Sequence, residues 1–232
     1  MYKYETHLHT CESSACGVSS GAEMAEFHKL QGYTGIFVTD HFLNGNTAVP
    51  RNLPWEERIE LFCKGYENAK KKGDEIGLQV FFGWEYSDRA IEFLTYNLDK
   101  RFLLDNPDLI DIDIHEYFRR VHAAGGFISH AHPFRERDYI PEQRFYPDEV
   151  DAVEAINIGN DNELFDIRAV EFAEKNSLPC TSGTDIHDVR RFASGGMEFD
   201  HVLSDPADFA RSVKAYNYTL LKGRDYPHAY SK

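Results

Sequence analysis

Two histidines separated by a single residue, His7 and His9, end the first strand-like stretch of the chain, YKYETHLH (2–9). Side chains two positions apart on a strand point to the same face, so both imidazoles can reach one ligand. Neutral imidazole is a common metal ligand in proteins. Taken alone, the pair is as consistent with packing or hydrogen bonding as with metal binding.

Histidine or carboxylate residues also stand at the ends of four further apolar stretches. They are Asp40 and His41 after GIFVT (35–39), Glu85 in LQVFFGWE (78–85), His130 and His132 in FISHAHP (127–133), and Asp185 and His187 after PCTSGT (179–184). Three of these have a simpler explanation taken alone: a turn or helix cap for Asp40 and His41, an arginine-paired buried carboxylate for Glu85, and an Asx turn for Asp185. Five such coincidences favour a shared centre that binds zinc, manganese or iron.

The elements that must position these residues alternate between strands and helices. Strands are predicted at 2–7, 34–41, 78–87, 90–98, 127–133, 150–159 and 178–185, and helices at 19–32, 54–73, 113–126, 162–177 and 205–217. This alternation predicts a parallel α/β sheet or barrel. The carboxyl ends of barrel strands meet at one mouth, so we expect the five sites to meet there.

Composition limits the partners and the compartment. The chain has 232 residues and a net charge of −14, which argues against long nucleic acid because phosphate neutralisation needs basic patches. A small anionic substrate stays compatible, since bound divalent cations reverse the local charge. No apolar run approaches the roughly 18 residues of a membrane helix, so no membrane contact is expected. Without a signal peptide or a paired CxxC pattern, we expect a reducing, cytoplasmic setting.

The motifs and their order resemble the PHP family, the polymerase and histidinol phosphatase domain. The resemblance is carried by HLH (7–9), TDHF (39–42), GWE (83–85), AHP (131–133), VEAINIGN (153–160) and GTDIH (183–187). It implies an α/β fold, a distorted seven-stranded TIM-like β/α barrel, in one domain over residues 1–223. We expect residues 224–232 to form a flexible tail. The resemblance also implies two or three divalent metals (Zn, Mn or Fe) and phosphoester hydrolysis.

The resemblance assigns metal ligands residue by residue. His7 and His9 would bind a first metal, which Asp185 would complete. Glu85 would bridge this metal to a second, bound by His132. His41 and His187 would belong to a third position.

Two departures from the family pattern concern the third position and the strand after Glu85. The family usually has His or Asp where this chain has Ser14 and Ala15, so either Glu12 or Cys16 substitutes or the third metal is weakly bound; we predict Glu12 as the ligand. Where the family often has histidine, this chain has Glu92, either a ligand or a solvated charge.

Three further residues are predicted around the ligands. His130 would contact phosphate or support a ligand, with a buried, hydrogen-bonded role as the alternative. Asp40 and Asn157 would support ligands from outside the metal shell.

The predicted reaction is hydrolysis of a phosphomonoester of a small metabolite, histidinol-phosphate-like or a nucleotide, by a metal-activated hydroxide. Arg135 and Arg190 or Arg191 would bind phosphate, with surface ion pairs as the alternative. Asp185 and His187 are the candidate proton carriers.

Three alternatives remain open. One is a nuclease or oligonucleotide phosphodiesterase of the same family. Another is an amidohydrolase-type barrel, although that class usually bridges its metals with lysine, and Glu85 fits the bridge here. The third is a metal-binding domain with weakened activity. The sequence makes no prediction of the oligomeric state.

Overall fold

Nine strands form one sheet in the computed structural model, which describes residues 1–191 and 194–223. Their bounds are β1 (Tyr2–Glu5), β2 (Gly35–Val38), β3 (Gln79–Asp88), β4 (Ile91–Tyr96), β5 (Phe127–His130), β6 (Ala152–Asn157), β7 (Cys180–Gly183), β8 (Gly196–Phe199) and β9 (Thr219–Leu221). The predicted tail, residues 224–232, lies outside the described residues.

Seven helices connect the strands within the same described ranges. Their bounds are α1 (Gly21–Leu30), α2 (Trp55–Phe62), α3 (Lys64–Ile76), α4 (Lys100–Asp105), α5 (Ile114–Ala123), α6 (Glu163–Asn176) and α7 (Pro206–Lys214). The helix predicted over 54–73 is divided at Cys63 into α2 and α3. Ser20 and Glu23 form the predicted capping box of α1. None of these helices is both long and apolar enough to cross a bilayer.

The α/β class is confirmed, but the predicted count of seven strands is wrong. The sheet order is β7-β6-β5-β4-β3-β2-β1-β8-β9, and β4 and β8 run antiparallel to their neighbours. The short β8 and β9 extend the sheet beyond β1. Segments of three or four residues are too short to show a strand periodicity in sequence.

The sheet curls into a nearly closed barrel, in which β7 approaches β1 and β9. Just after β1 and β7, the Asp185 N–H donates to the His7 carbonyl at 2.8 Å, and the His9 N–H donates to the Ile186 carbonyl at 2.9 Å. The Ser182 hydroxyl also donates to the Leu221 carbonyl at 2.9 Å. These bonds bring the first and last sequence motifs side by side.

Aromatic packing closes the end of the barrel opposite these motifs. Phe209 of α7 packs against Phe127, the first residue of β5, and against Tyr96, the last residue of the antiparallel β4. Phe37 of β2 joins the same cluster, while its neighbours Ile36 and Val38 pack toward α1 and α3. This alternation follows the two-residue period of a strand.

Candidate metal centre

Backbone hydrogen bonds continue past the strand ends and hold the predicted site residues at one level. The Glu85 N–H donates to the Asp40 carbonyl at 3.0 Å, and the Ala131 N–H donates to the Glu92 carbonyl at 3.0 Å. Because β4 is antiparallel, its amino end lies where the parallel strands have their carboxyl ends. Glu92, the second residue of β4, therefore reaches the mouth.

The first group of potential ligands joins His7, His9 and Asp185. The two Nε2 atoms are 3.1 Å apart, and His9 Nε2 lies 3.1 Å from Asp185 Oδ1. His7 Nε2 lies 3.5 Å from the same oxygen. The three ligand atoms lie within 4.8 Å of one another and all three residues are buried, which is suitable for one cation.

Glu85 lies at the centre of the cluster. Its Oε1 is 3.0 Å from His132 Nε2 and 3.4 Å from His7 Nε2. Its Oε2 is 2.7 Å from His41 Nδ1 and 3.5 Å from His9 Nε2. One carboxylate thus faces four imidazoles from three sequence motifs, as the predicted bridging position requires.

Glu92 joins this cluster at its edge rather than pointing to solvent. Its two oxygens lie 3.5 Å from His41 Nδ1 and 3.6 Å from His132 Nε2. Burial and the neighbouring Glu85 charge raise the pKa of Glu92. A cation between Glu85 and Glu92 would relieve the repulsion between them.

A third group contains His9, His41 and His187, whose nitrogen atoms also lie within 4.8 Å of one another. The His9 ring lies 4.3 Å from the His41 ring and 4.4 Å from the His187 ring, measured between centroids. Burial raises the pKa of the Cys16 thiol, but the neighbouring His187 and His41 outweigh burial and lower this pKa to about 6.

Buried atoms without hydrogen-bond partners test whether this donor set fits a metal. Among the described residues, His41 Nδ1 and Glu85 Oε2 are buried and face each other at 2.7 Å, yet neither makes a hydrogen bond of normal geometry. Buried polar atoms without a hydrogen-bond partner lower the stability of the folded state unless another group, such as a metal ion, interacts with them. Imidazole and carboxylate are the ligands of zinc, manganese and iron, so the residues fit divalent cations.

Two residues that the sequence reasoning missed orient the histidines. Glu154 Oε1 accepts from His7 Nδ1 at 2.9 Å, which leaves the Nε2 lone pair of His7 for a metal. Ser14 donates to Asp40 Oδ1 at 2.7 Å, so its oxygen accepts from His9 Nδ1 at 3.1 Å. A carboxylate inside the buried strand AVEAIN was the available signal for Glu154.

The electrostatics keep the carboxylates ionised. Burial raises the pKa of Glu85, but His41 and His7 outweigh it and hold the pKa well below the usual range. Burial also raises the pKa of Asp185, and His7 and Arg135 likewise hold it well below normal. Both carboxylates are therefore available as anionic ligands at neutral pH.

The pKa values of His7 and His9 are shifted in opposite directions. Burial lowers the pKa of His7, but Glu154 and the other carboxylates outweigh burial and raise it well above normal. Burial and two neighbouring imidazoles hold the pKa of His9 well below normal. Metal binding at His7 must displace a proton, which makes affinity rise with pH.

Two site residues adopt backbone conformations that are rare outside glycine. Asp185 has φ 55° and His132 has φ 28°. The His132 N–H is held by Glu154 Oε2 at 3.0 Å, as the Asp185 N–H is by the His7 carbonyl. Such strain persists where surrounding contacts fix it, typically at functional sites. Gly183 permits the close approach nearby, since a Cβ there would lie 2.4 Å from the His7 Cβ.

A cleft of about 520 Å³ opens beside the cluster. Its lining includes Cys16, Asp185 and His187 together with the three predicted phosphate-binding arginines, Arg135, Arg190 and Arg191.

The arginines differ in how they are held. Arg135 is buried, and its Nη2 donates to Asp185 Oδ2 and Asn157 Oδ1, both at 2.8 Å. The Arg190 side chain is 76% exposed and pairs with Asp188 at 2.7 Å. Arg135 therefore orients Asp185 from a fixed position, whereas Arg190 stands at the rim.

Asp40 and Asn157 lie outside the potential ligand groups and reach them through hydrogen bonds to Ser14 and Glu154. Asp40 accepts from the Thr10 N–H at 2.6 Å and from Ser14. Asn157 donates to Glu154 Oε2 at 2.8 Å. Both residues thus hold groups that contact the ligands.

Two predictions need correction. Glu12 does not join the potential ligand groups: its carboxylate accepts from the Gly21 N–H at 3.0 Å, at the start of α1, and from Asn68 at 2.8 Å. His130 is buried between Phe93 and Phe145, and among the described residues neither ring nitrogen has a hydrogen-bond partner. Burial and His132 lower the pKa of His130 to about 3. It is a neutral packing residue in this structure, and it supports none of the potential ligands through a hydrogen bond.

No family model and no curated protein matches this chain. Solved structures do match. A two-domain protein from Bacteroides vulgatus containing a predicted PHP-like metal-dependent phosphoesterase is 14% identical, with a TM-score of 0.69; the match covers 96% of this chain and 65% of that one.

Two further structures share the architecture. A candidate metal-dependent phosphoesterase from Bifidobacterium adolescentis is 15% identical with a TM-score of 0.58, over 97% of this chain and 98% of that one. A lesion-specific endonuclease from Pyrococcus furiosus is 11% identical with a TM-score of 0.58, over 94% of this chain and 57% of that one. The chain has the fold of PHP-like metal-dependent phosphoesterases, which confirms the resemblance at the level of the fold.

Proposed function

We propose that the protein hydrolyses a phosphomonoester of a small metabolite, histidinol-phosphate-like or a nucleotide, with two or three divalent cations (Zn, Mn or Fe). The proposal is carried by the position of Glu85: its two carboxylate oxygens face the imidazoles of four histidines in a buried pocket. Two of those imidazoles are fixed through their Nδ1 atoms by Glu154 and Ser14. Residues held in this way are typical of metal ligands.

The chemistry divides between cations and side chains. Divalent cations bound there would supply a Lewis acid for the phosphoryl oxygens and lower the pKa of water toward neutrality. Arg135 holds Asp185 beside the cleft as an anionic ligand, and His187, which lines the same cleft, would carry the proton. Arg190 and Arg191 at the rim offer guanidinium groups for the phosphate.

The size and charge of the cleft support a small substrate. A volume of about 520 Å³ falls within the range of small-ligand sites. The chain's net charge of −14 opposes a long polyanion, while the cleft lining carries three arginines against two aspartates, Asp185 and Asp188. A metabolite with one phosphate matches both features.

A phosphate-release assay tests the proposal. Metal-stripped protein would be reconstituted with Zn²⁺, Mn²⁺ or Fe²⁺ and assayed on amino-alcohol phosphates, sugar phosphates and nucleoside monophosphates. We expect release only after metal addition. Glu85→Gln should lose more than the roughly 10–100-fold typical of outer-shell changes.

Two results would overturn the assignment. If metal-stripped and metal-loaded protein are equally inactive on the whole panel, the protein is not a phosphatase. Cleavage of bis-p-nitrophenyl phosphate and a short oligonucleotide, without monoester hydrolysis, would select the phosphodiesterase instead.

A further inference from the structure

We propose that Asp166, on helix α6, is a positioning residue that orients Arg135 toward the phosphate of the substrate through the side-chain amide of Asn160. The proposal rests on the proposed function, since it takes the substrate to be a phosphate ester. It assigns a role to two polar residues that belong neither to the potential ligand groups nor to the lining of the cleft.

Three of the five N–H groups of Arg135 are used inside the protein. Its Nε donates to Asn160 Oδ1 at 2.9 Å, and its Nη2 donates to Asn157 Oδ1 and Asp185 Oδ2, both at 2.8 Å. Because Nε and Nη2 form one edge of the planar guanidinium group, these two anchored atoms fix the direction of Nη1. Among the described residues Nη1 has no hydrogen-bond partner, and Arg135 lines the cleft. The two N–H groups of Nη1 are therefore available to a phosphate oxygen.

An asparagine amide can hold this edge of Arg135 in only one of its two orientations. The amide oxygen accepts a hydrogen bond, whereas the amide NH₂ group would set a donor against the donors of the guanidinium. The partner of the NH₂ group selects the orientation. Asn157 Nδ2 donates to Glu154 Oε2 at 2.8 Å. Asn160 Nδ2 donates to Asp166 Oδ1 at 2.7 Å, so Asp166 sets the amide that holds Nε of Arg135.

The Asp166 carboxylate uses a single oxygen for this purpose. Asp166 lies in the first turn of α6 and is half-buried. Its Oδ1 accepts both from Asn160 Nδ2 and from the Asn157 N–H, the latter at 3.3 Å. Asn160 is buried, so loss of this oxygen would leave its NH₂ group without an acceptor or turn the amide over. A neutral amide at position 166 still has such an oxygen, whereas a methyl group has none.

Binding of orthophosphate to Zn²⁺-loaded protein tests the proposal apart from turnover. Asp166→Ala should weaken phosphate binding by roughly 3- to 10-fold, as expected for the loss of one hydrogen bond. The KM for a phosphomonoester should rise by the same factor, while kcat and the metal content stay near the wild-type values. Asp166→Asn should retain most of the affinity, because the asparagine oxygen can accept from Asn160. Glu163→Ala is the matched control, since Glu163 lies in the same helical turn without a bond to Asn160.

A double-mutant cycle separates positioning of Arg135 from a local effect on α6. Asn160→Leu should weaken phosphate binding at least as much as Asp166→Ala does. Adding Asp166→Ala to Asn160→Leu should cause no further loss, because Asp166 acts on Arg135 through the amide that leucine removes. Asn160→Leu leaves α6 unchanged, so it tests the same link if Asp166→Ala does not fold.

Additive losses in the cycle, equal losses in Asp166→Asn and Asp166→Ala, or wild-type phosphate binding in Asn160→Leu would overturn the proposal. If the wild type releases phosphate and Asp166→Ala does so with an unchanged KM, the positioning role is wrong and the proposed function stands. If no substrate is hydrolysed but orthophosphate binding depends on Asp166 and Asn160 in this way, the positioning role stands and the hydrolytic function is wrong.

Discussion

Replacing Glu154 with glutamine should reverse the tautomer of His7. The carboxylate accepts three hydrogen bonds, from His7 Nδ1 at 2.9 Å, the His132 N–H at 3.0 Å and Asn157 Nδ2 at 2.8 Å. Glutamine has one oxygen and one amide nitrogen. If the oxygen keeps the bonds from His132 and Asn157, the amide N–H₂ faces His7 and must donate to it.

The proton of His7 then moves to Nε2, the atom that faces His9 and Asp185. Metal binding would require the ring to return to its original tautomer. The Nδ1–H of His7 would then face the amide N–H of the new glutamine, and neither would have an acceptor. A buried group left unsatisfied costs about 1–3 kcal/mol. At about 1.36 kcal/mol per tenfold, this is roughly a 5- to 150-fold loss of metal affinity. Outer-shell changes in metal sites typically cost about 10–100-fold.

The assay is competitive titration of metal-stripped protein with Zn²⁺ against a chromophoric chelator. Glu171→Gln on the exposed surface of α6 removes the same charge without touching the cluster and should bind like the wild type. If Glu154→Gln binds Zn²⁺ within twofold of the wild type, the tautomer argument is refuted.

Two further predictions concern Arg135 and His28. Arg135→Lys should lower kcat/KM for phosphate release by roughly 10–100-fold, since hydrogen bonds to charged groups contribute about 1.5–3 kcal/mol. The metal content should stay unchanged. An unaltered kcat/KM would contradict this prediction. Burial lowers the pKa of His28 to about 4, against 6.5 ordinarily, and the bond to the Met24 carbonyl only partly offsets this. The unfolded chain therefore binds a proton that the native state excludes, and stability should fall by up to about 3 kcal/mol as pH drops from 6.5 to 4. In urea unfolding of metal-free protein, His28→Asn should flatten that slope; an equal slope would refute the assignment.

The positions of the inner ligands were predictable because they depend on strand ends. His7, His9, Glu85, His132 and Asp185 each follow or end an apolar stretch, and an α/β barrel gathers such residues at one mouth. Hydrophobic patterning and the gathering of strand ends at the barrel mouth therefore predicted that these residues meet, while the resemblance to the PHP family distinguished them from neighbours such as Asp40 and His130.

The outer region was not predictable by the same reasoning. Glu12 and Cys16 lie in one loop, and sequence spacing does not show which of them turns inward. The structure answers through hydrogen bonds: Glu12 accepts from the first turn of α1, while Cys16 lies beside His187. Ser14 takes a supporting role because its hydroxyl both accepts and donates, so an imidazole and a carboxylate can share it.

The predicted strand count and the predicted role of His130 were wrong for other reasons. Strand β8 is only four residues long and pairs through its backbone, so its sequence carries little signal. His130 lies two residues before His132, and a regular strand would place both on one face. The φ of 28° at His132 breaks that regularity, and His130 packs among aromatic rings.

Anomalous X-ray diffraction from crystals grown with Mn²⁺ or Zn²⁺, recorded at the absorption edge of the metal, tests the central claim most directly. The account predicts two neighbouring peaks that share Glu85, one of them bonded also to His7, His9 and Asp185 and the other to His132. Absence of peaks in this cluster, or a metal arrangement in which Glu85 bonds to no cation, would contradict it.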